Sequence, residues 1–100
     1  MKGSAFLINT ARGTIVDEAA LVRALERGQI AGAGLDVYEQ EPRVHPGLLG
    51  RNDVVLLPHL GSATLEARSR MAFMALTDAR RVLEGKDPLR VVPTWGDRSR

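Results

Sequence analysis

Apolar positions along this chain fall into short continuous runs separated by stripes of helical period. Ala5-Phe6-Leu7-Ile8-Asn9 is such a run, and its length predicts a buried strand that begins almost at the amino terminus. Thr10-Ala11-Arg12-Gly13 follows as a polar turn. The period then lengthens: Ala20, Leu21, Ala24 and Leu25 make a narrow apolar stripe, with Arg23, Glu26 and Arg27 turned to water. Asp17 is a good N-cap for this helix, Val16 can staple onto Leu21, and Asp17 and Glu18 read as helix-start residues. Gly28 stops the helix as a left-handed cap would. Ile30 to Val37 forms a second strand, whose small residues let a helix pack close.

A loop with Pro46 and Gly47 leads to Leu48-Leu49, and Asn52-Asp53 turns into a third strand, Val54-Val55-Leu56-Leu57. A continuous apolar run of this kind is what a parallel strand buried on both faces looks like. Pro58 cannot donate to a sheet, so the ladder should end there and display His59 at the carboxyl end of the strand. Gly61 permits a close turn, and Ser62 or Thr64 can cap a helix running from Thr64 to about Glu84. Ala72, Ala75, Leu76, Ala79, Val82 and Leu83 share one side of that helix, and Met71 and Met74 widen the face as filler. Gly85 and Pro88 end it, and Leu89 to Arg100 reads as a tail in which Trp95 is a candidate anchor.

The order strand, helix, strand at crossover spacing predicts an α/β unit of about three parallel strands with right-handed connections, followed by a long C-terminal helix. Gly32-Ala33-Gly34 resembles the start of a dinucleotide fingerprint, but residue 37, where the third glycine belongs, is valine. The pair also lies within the strand instead of after it, so both glycines are read as close-packing positions.

Composition narrows the setting. The 100 residues are 44% hydrophobic, which suits one modest globular unit. There is no cysteine, hence no disulfide framework and no thiolate metal site, and a cytoplasmic location is the expectation. Fourteen basic residues against twelve acidic ones give a net charge of +2, and aromatics are 4% of the chain. Nucleic-acid binding requires a basic stripe interleaved with stacking aromatics, and neither is present. No apolar stretch approaches the roughly 20 residues of a membrane span, so no membrane partner is expected.

Candidate chemistry sits at the strand ends. Arg12 follows the first strand, Asp36 lies near the end of the second, Glu41 follows the second, and His59 follows the third. Carboxyl ends of parallel strands share one edge of the sheet, so these groups can converge on a single cleft. A guanidinium grips a planar carboxylate bidentately. An imidazole gives or takes a proton near neutral pH, and a neighbouring carboxylate favours its charged form. Together they describe a site for a small carboxylate bearing a carbonyl or hydroxyl. No side chain can accept a hydride, so a two-electron step would need a cofactor.

Three segments then carry a resemblance: Ile8-Asn9-Thr10-Ala11-Arg12-Gly13, Gly34-Leu35-Asp36-Val37-Tyr38-Glu39-Gln40-Glu41-Pro42 and Pro58-His59-Leu60-Gly61-Ser62-Ala63-Thr64. In order and spacing they are similar to three signatures of the D-isomer-specific 2-hydroxyacid dehydrogenases, and their wording most resembles the glyoxylate/hydroxypyruvate reductase branch. The resemblance implies the C-terminal half of a Rossmann-type domain binding NAD or NADP, acting on a small 2-keto or 2-hydroxy acid, with a homodimeric full-length parent. It implies that Arg12 holds the substrate carboxylate, His59 is the acid/base and Glu41 pairs with His59. Asp36 would accept a hydrogen bond from the nicotinamide carboxamide, while backbone at Thr10-Ala11 and Leu60-Gly61 would line the nicotinamide. No metal is implied.

The chain also departs from the family pattern. It has no Gly-x-Gly-x-x-Gly and no residue selecting NAD from NADP, so it is expected to be inactive alone. Expected divisions are 1–64, the half-domain carrying the catalytic residues; 65–87, a helix returning to an absent substrate domain with its apolar face partly exposed; and 88–100, a tail. Two rival readings are a non-enzymatic, nucleotide-sensing module like the corepressors of this family, and a remnant that complements a separate amino-terminal half.

Overall fold

The structure, a computed structural model, describes residues 1–92; Trp95 lies outside the described residues. The chain divides into two compact units, Met1–Ser62 and Ala63–Arg100.

The first unit is a three-stranded parallel sheet in the order β1-β2-β3, with β1 Phe6–Asn9, β2 Gly32–Leu35 and β3 Val54–Leu56. Helix α1, Glu18–Glu26, joins the first two strands, and single 3-10 turns occupy Gly13–Ile15 and Pro46–Leu48. Strand β2 is shorter than the 30–37 run suggests. Its flanks remain apolar and buried at Ile30 and Val37, but only the central residues meet partners on both sides. Strand β3 ends at Leu56, although the Leu57 N–H still donates to the Leu35 carbonyl at 2.8 Å before Pro58 breaks the ladder.

The ends of α1 form as their residues dictate. The Asp17 carboxylate accepts from the Ala20 N–H at 2.9 Å, and Gly28 takes φ 65° just beyond the helix. Leu21 and Leu25 point into the core, as does Val22, which the predicted stripe omitted. The Pro46–Leu48 turn covers Val22: a Cβ at Gly47 would stand 2.6 Å from its Cγ1. Leu48 is the most buried of these side chains at 1% exposure. A loop has no periodicity, so nothing in its own pattern marks Leu48 as core.

Alternation decides which sheet face is covered. Leu7, Ala33, Leu35, Val54 and Leu56 join the core cluster with α1. Phe6, Ile8 and Val55 lie on the other face and are 67%, 67% and 62% exposed, so β3 is buried on one face and not two. The glycines of β2 belong to this open face. A Cβ on Gly32 would stand 2.5 Å from the Asp53 carbonyl oxygen and 3.0 Å from the Phe6 ring, and one on Gly34 would stand 2.9 Å from Ile8 Cδ1. The close packing expected there is therefore against the Asp53 carbonyl and side chains of β1, not against a helix.

The second unit is built on α2, Leu65–Leu83. Thr64 caps it through its hydroxyl, 3.1 Å from the Ala67 N–H, and Gly85 leaves it at φ 75°. No residue of α2 is buried; Phe73, Leu76 and Leu83 are 72%, 70% and 88% exposed. The segment read as a tail is tied to the helix at its start. Asp78 accepts from the Leu89 N–H at 3.0 Å and from Arg90 at 3.1 Å, and Arg81 donates to the Asp87 carbonyl at 2.8 Å. The Leu89 N–H foremost, and then Arg90, hold the Asp78 carboxyl below its ordinary value. No helix among the described residues is long and apolar enough to cross a membrane, and no group of His, Asp and Glu there is arranged to hold a metal.

Candidate active site

Each strand of the sheet hands its carboxyl end to a turn that a side chain fixes. At the end of β1 that side chain is Asn9, 6% exposed. Its Oδ1 accepts from the Ala11 N–H at 3.2 Å and its Nδ2 donates to the Arg12 carbonyl at 2.9 Å, so one amide braces the Thr10-Ala11-Arg12 turn. Gly13 completes the turn where only glycine fits, since a Cβ there would fall 1.9 Å from the Tyr38 carbonyl carbon and oxygen. Arg12 is exposed, and its guanidinium donates to the Ala11 carbonyl at 2.7 Å. Thr10 is also exposed.

At the end of β2 lies Asp36, 4% exposed. Its Oδ1 accepts from the Leu60 N–H at 2.7 Å and its Oδ2 from the Gly61 N–H at 2.9 Å. These two consecutive donors follow His59, whose φ of 59° lies in the left-handed region. That conformation costs an ordinary residue about 1–2 kcal/mol. Two charge-assisted hydrogen bonds of about 1.5–3 kcal/mol each outweigh it. Asp36 thus sets the backbone that aims His59. A carboxylate has roughly four lone-pair sites, so two used by the turn leave capacity for a further donor.

Tyr38 ties β2 to β3 just before the histidine. Its hydroxyl lies 2.6 Å from the Leu57 carbonyl and 3.1 Å from that of Leu35, and its single proton serves one at a time. Burial pushes this hydroxyl up from its ordinary value, which keeps it a donor.

The acid–base pair closes the arrangement. Glu41 Oε2 lies 2.8 Å from His59 Nδ1, and Glu41 Oε1 accepts from the Tyr38 N–H at 3.2 Å. The His59 contact, then the Tyr38 N–H and lastly the charge of Arg12 hold the Glu41 carboxyl below its ordinary value. Side chains of His59 and Glu41 are 44% and 37% exposed, so the pair adds little to stability. With Nδ1 taken by the carboxylate, Nε2 is the ring nitrogen left for another molecule. Arg12 joins the pair through its charge, not through a bond. A mainly apolar cleft of about 370 Å³ opens beside the pair, walled by Tyr38, Pro42, Leu57 and Pro58 among others; Arg12 and Asp36 lie outside that wall.

The profile described as D-isomer specific 2-hydroxyacid dehydrogenase, NAD binding domain, matches residues 1–61. The chain belongs to this family. A glyoxylate reductase of Thermofilum pendens is 57% identical over 90 residues, covering 88% of this chain and 26% of that protein. Among solved structures, an NADPH-dependent glyoxylate/hydroxypyruvate reductase of Sinorhizobium meliloti, in complex with NADP and malonate, superposes with a TM-score of 0.88 at 44% identity. That superposition covers 91% of this chain and 28% of the neighbour. A glyoxylate reductase from Paecilomyes thermophila gives a TM-score of 0.88 at 48% identity, with 93% of this chain and 28% of that one covered. The chain therefore spans little more than a quarter of these relatives, and of the family's enzyme it carries a part of the NAD(P)-binding domain.

Toward the nicotinamide end of such a dinucleotide, the residues present offer a buried carboxylate with unused lone pairs, bonded to the backbone turn at 60–61. A glycine fingerprint that would cradle the pyrophosphate is not in the sequence. Of the groups singled out from sequence, His59 and Glu41 meet directly, Asp36 meets Leu60 and Gly61, and the Arg12 guanidinium is bonded to the Ala11 carbonyl, bearing on Glu41 only as a charge. Asn9 and Tyr38 had no assigned role. Asn9 ends an apolar run, and a polar residue closing that run was the available signal; the strand before it, expected to be buried, leaves Phe6 and Ile8 exposed because one face of the sheet is uncovered.

Proposed function

We propose that this chain is the catalytic part of an NAD(P)H-dependent reductase of small 2-keto acids, glyoxylate or hydroxypyruvate, forming glycolate or D-glycerate. The observation that supports it most is the 2.8 Å pairing of His59 with Glu41 at the end of β3, with the Arg12 charge bearing on the same carboxylate. Arg12 takes the substrate carboxylate and so orients its carbonyl. His59 gives a proton from Nε2 to the carbonyl oxygen on reduction and takes it back on oxidation. Glu41 holds Nδ1, which keeps the ring in one orientation. Asp36 accepts from the carboxamide of the nicotinamide with the lone pairs its turn leaves free, and backbone at Thr10-Ala11 and Leu60-Gly61 lines that ring. When bound, the reduced cofactor supplies the hydride.

Alone, without a pyrophosphate cradle, the chain is expected not to turn over. Mixing it with NADH or NADPH and glyoxylate checks this, since oxidation of the cofactor at ordinary enzyme rates contradicts the expectation. The residue roles are tested by placing this chain in the corresponding position of the Thermofilum pendens reductase. In that chimera His59→Ala should lower kcat by about 10²–10⁴-fold, the usual worth of a general acid, whereas Arg12→Ala should act mainly through KM. A His59→Ala chimera with undiminished kcat rejects the acid–base role.

A further inference from the structure

We propose that Glu18 is a positioning residue for the Glu41–His59 pair: its carboxylate fastens both ends of the loop that carries Glu41. This role rests on the acid–base reading given above. Glu18 opens α1 and is 7% exposed, unusual burial for a carboxylate. Its partners are not in its own helix. Oε2 accepts from the Glu39 N–H at 2.8 Å, and Oε1 from the His45 N–H at 3.4 Å, residues 21 and 27 positions away. In return the Glu39 carboxylate accepts from the Glu18 N–H at 2.6 Å.

Capping of α1 does not explain this arrangement. Asp17 already serves the Ala20 N–H, and the Glu39 carboxylate serves the Glu18 N–H. The Glu18 side chain is free of both tasks and reaches outward to the loop. Within the span it closes, the Arg43 N–H donates to the Gln40 carbonyl at 2.9 Å, and Glu41 sits inside that turn. A loop fixed at 39 and at 45 leaves Glu41 little freedom, so its Oε1 stays on the Tyr38 N–H and its Oε2 on His59. The same helix terminus favours negative charge, which makes a buried carboxylate acceptable at this position.

Glu18→Gln is the direct test because it keeps the shape and replaces one acceptor oxygen by a donor. Both oxygens receive backbone N–H groups, so one end of the loop must come loose. The readout is the carboxyl titration of Glu41 in the full chain, followed by carbon NMR without substrate or cofactor. The groups acting on Glu41 are His59, the Tyr38 N–H and Arg12. The Glu41 midpoint should shift upward in the variant as the first two contacts weaken, and the Glu39 and His45 amides should exchange faster. Asp53, held low by Arg51 on a separate turn, is the control and should not move. An unchanged Glu41 midpoint, or equal shifts of Glu41 and Asp53, overturns the proposal, the latter because it reports general loosening. Should the variant not fold, exchange in the unaltered chain decides: protected Glu39 and His45 amides support the clasp, and unprotected ones overturn it. Because no turnover is read, a chimera insensitive to His59→Ala together with a shifted Glu41 would reject the catalytic reading and leave the positioning intact.

Discussion

Asp36→Asn tests whether the left-handed backbone at His59 is held by the carboxylate beneath it. Both oxygens of Asp36 receive backbone donors, Leu60 at 2.7 Å and Gly61 at 2.9 Å, and asparagine offers only one acceptor. Its amide nitrogen must then face an N–H. The loss is one charge-assisted hydrogen bond, about 1.5–3 kcal/mol, and the surviving bond weakens because the charge has gone. Against the roughly 1–2 kcal/mol cost of the His59 conformation, two bonds hold the turn firmly, whereas one leaves it near balance. The expected destabilisation is about 2–3 kcal/mol, or roughly 30–150-fold in the unfolding equilibrium at 1.4 kcal/mol per tenfold. Urea unfolding of the full chain followed by far-UV circular dichroism measures it. Amide exchange adds locality: Leu60 and Gly61 should lose protection more than Leu25 in the core. A destabilisation below about 0.5 kcal/mol, the range of an ordinary surface change, refutes the argument, as does unaltered protection at 60 and 61.

Two further predictions come from the same rim. Gly13→Ala places a Cβ 1.9 Å from backbone atoms of Tyr38, which cannot swing away as a side chain would, so destabilisation of about 3 kcal/mol or more is expected in the same urea assay. The Glu41 carboxyl, held below its ordinary 4.5 but solvent-exposed, makes a small contribution to stability that is fully present above about that pH and is lost as the pH falls through the lower folded value. His59→Ala removes the largest cause, so the Glu41 midpoint should rise in a carbon NMR titration; a fall, or no change, would show that the pairing is not what depresses it.

What the chain order alone determined is local or periodic. The three strands, the capped start of α1 at Asp17, the glycine ends at 28 and 85 and the Thr64 cap all follow from side chains acting within a few residues of themselves. Parallel order also implied that residues following the three strands share an edge, which is why Arg12, Asp36, Glu41 and His59 could be chosen as a group. Period cannot tell a strand covered on one face from one covered on two, because the run Val54 to Leu57 is apolar either way; only the packing left Val55 open. Leu48 is core because a loop happens to pass over α1, and no pattern inside that loop records it. The site itself is held by pairings between residues 18 to 27 positions apart: Glu41 with His59, Glu18 with Glu39 and His45, and Asp36 with the turn at 60 and 61. A carboxylate reads the same in sequence whether it is solvated or buried against backbone donors. Its partners are chosen by the fold, so only tertiary structure could separate the glutamate that meets the histidine from the one that fastens its loop.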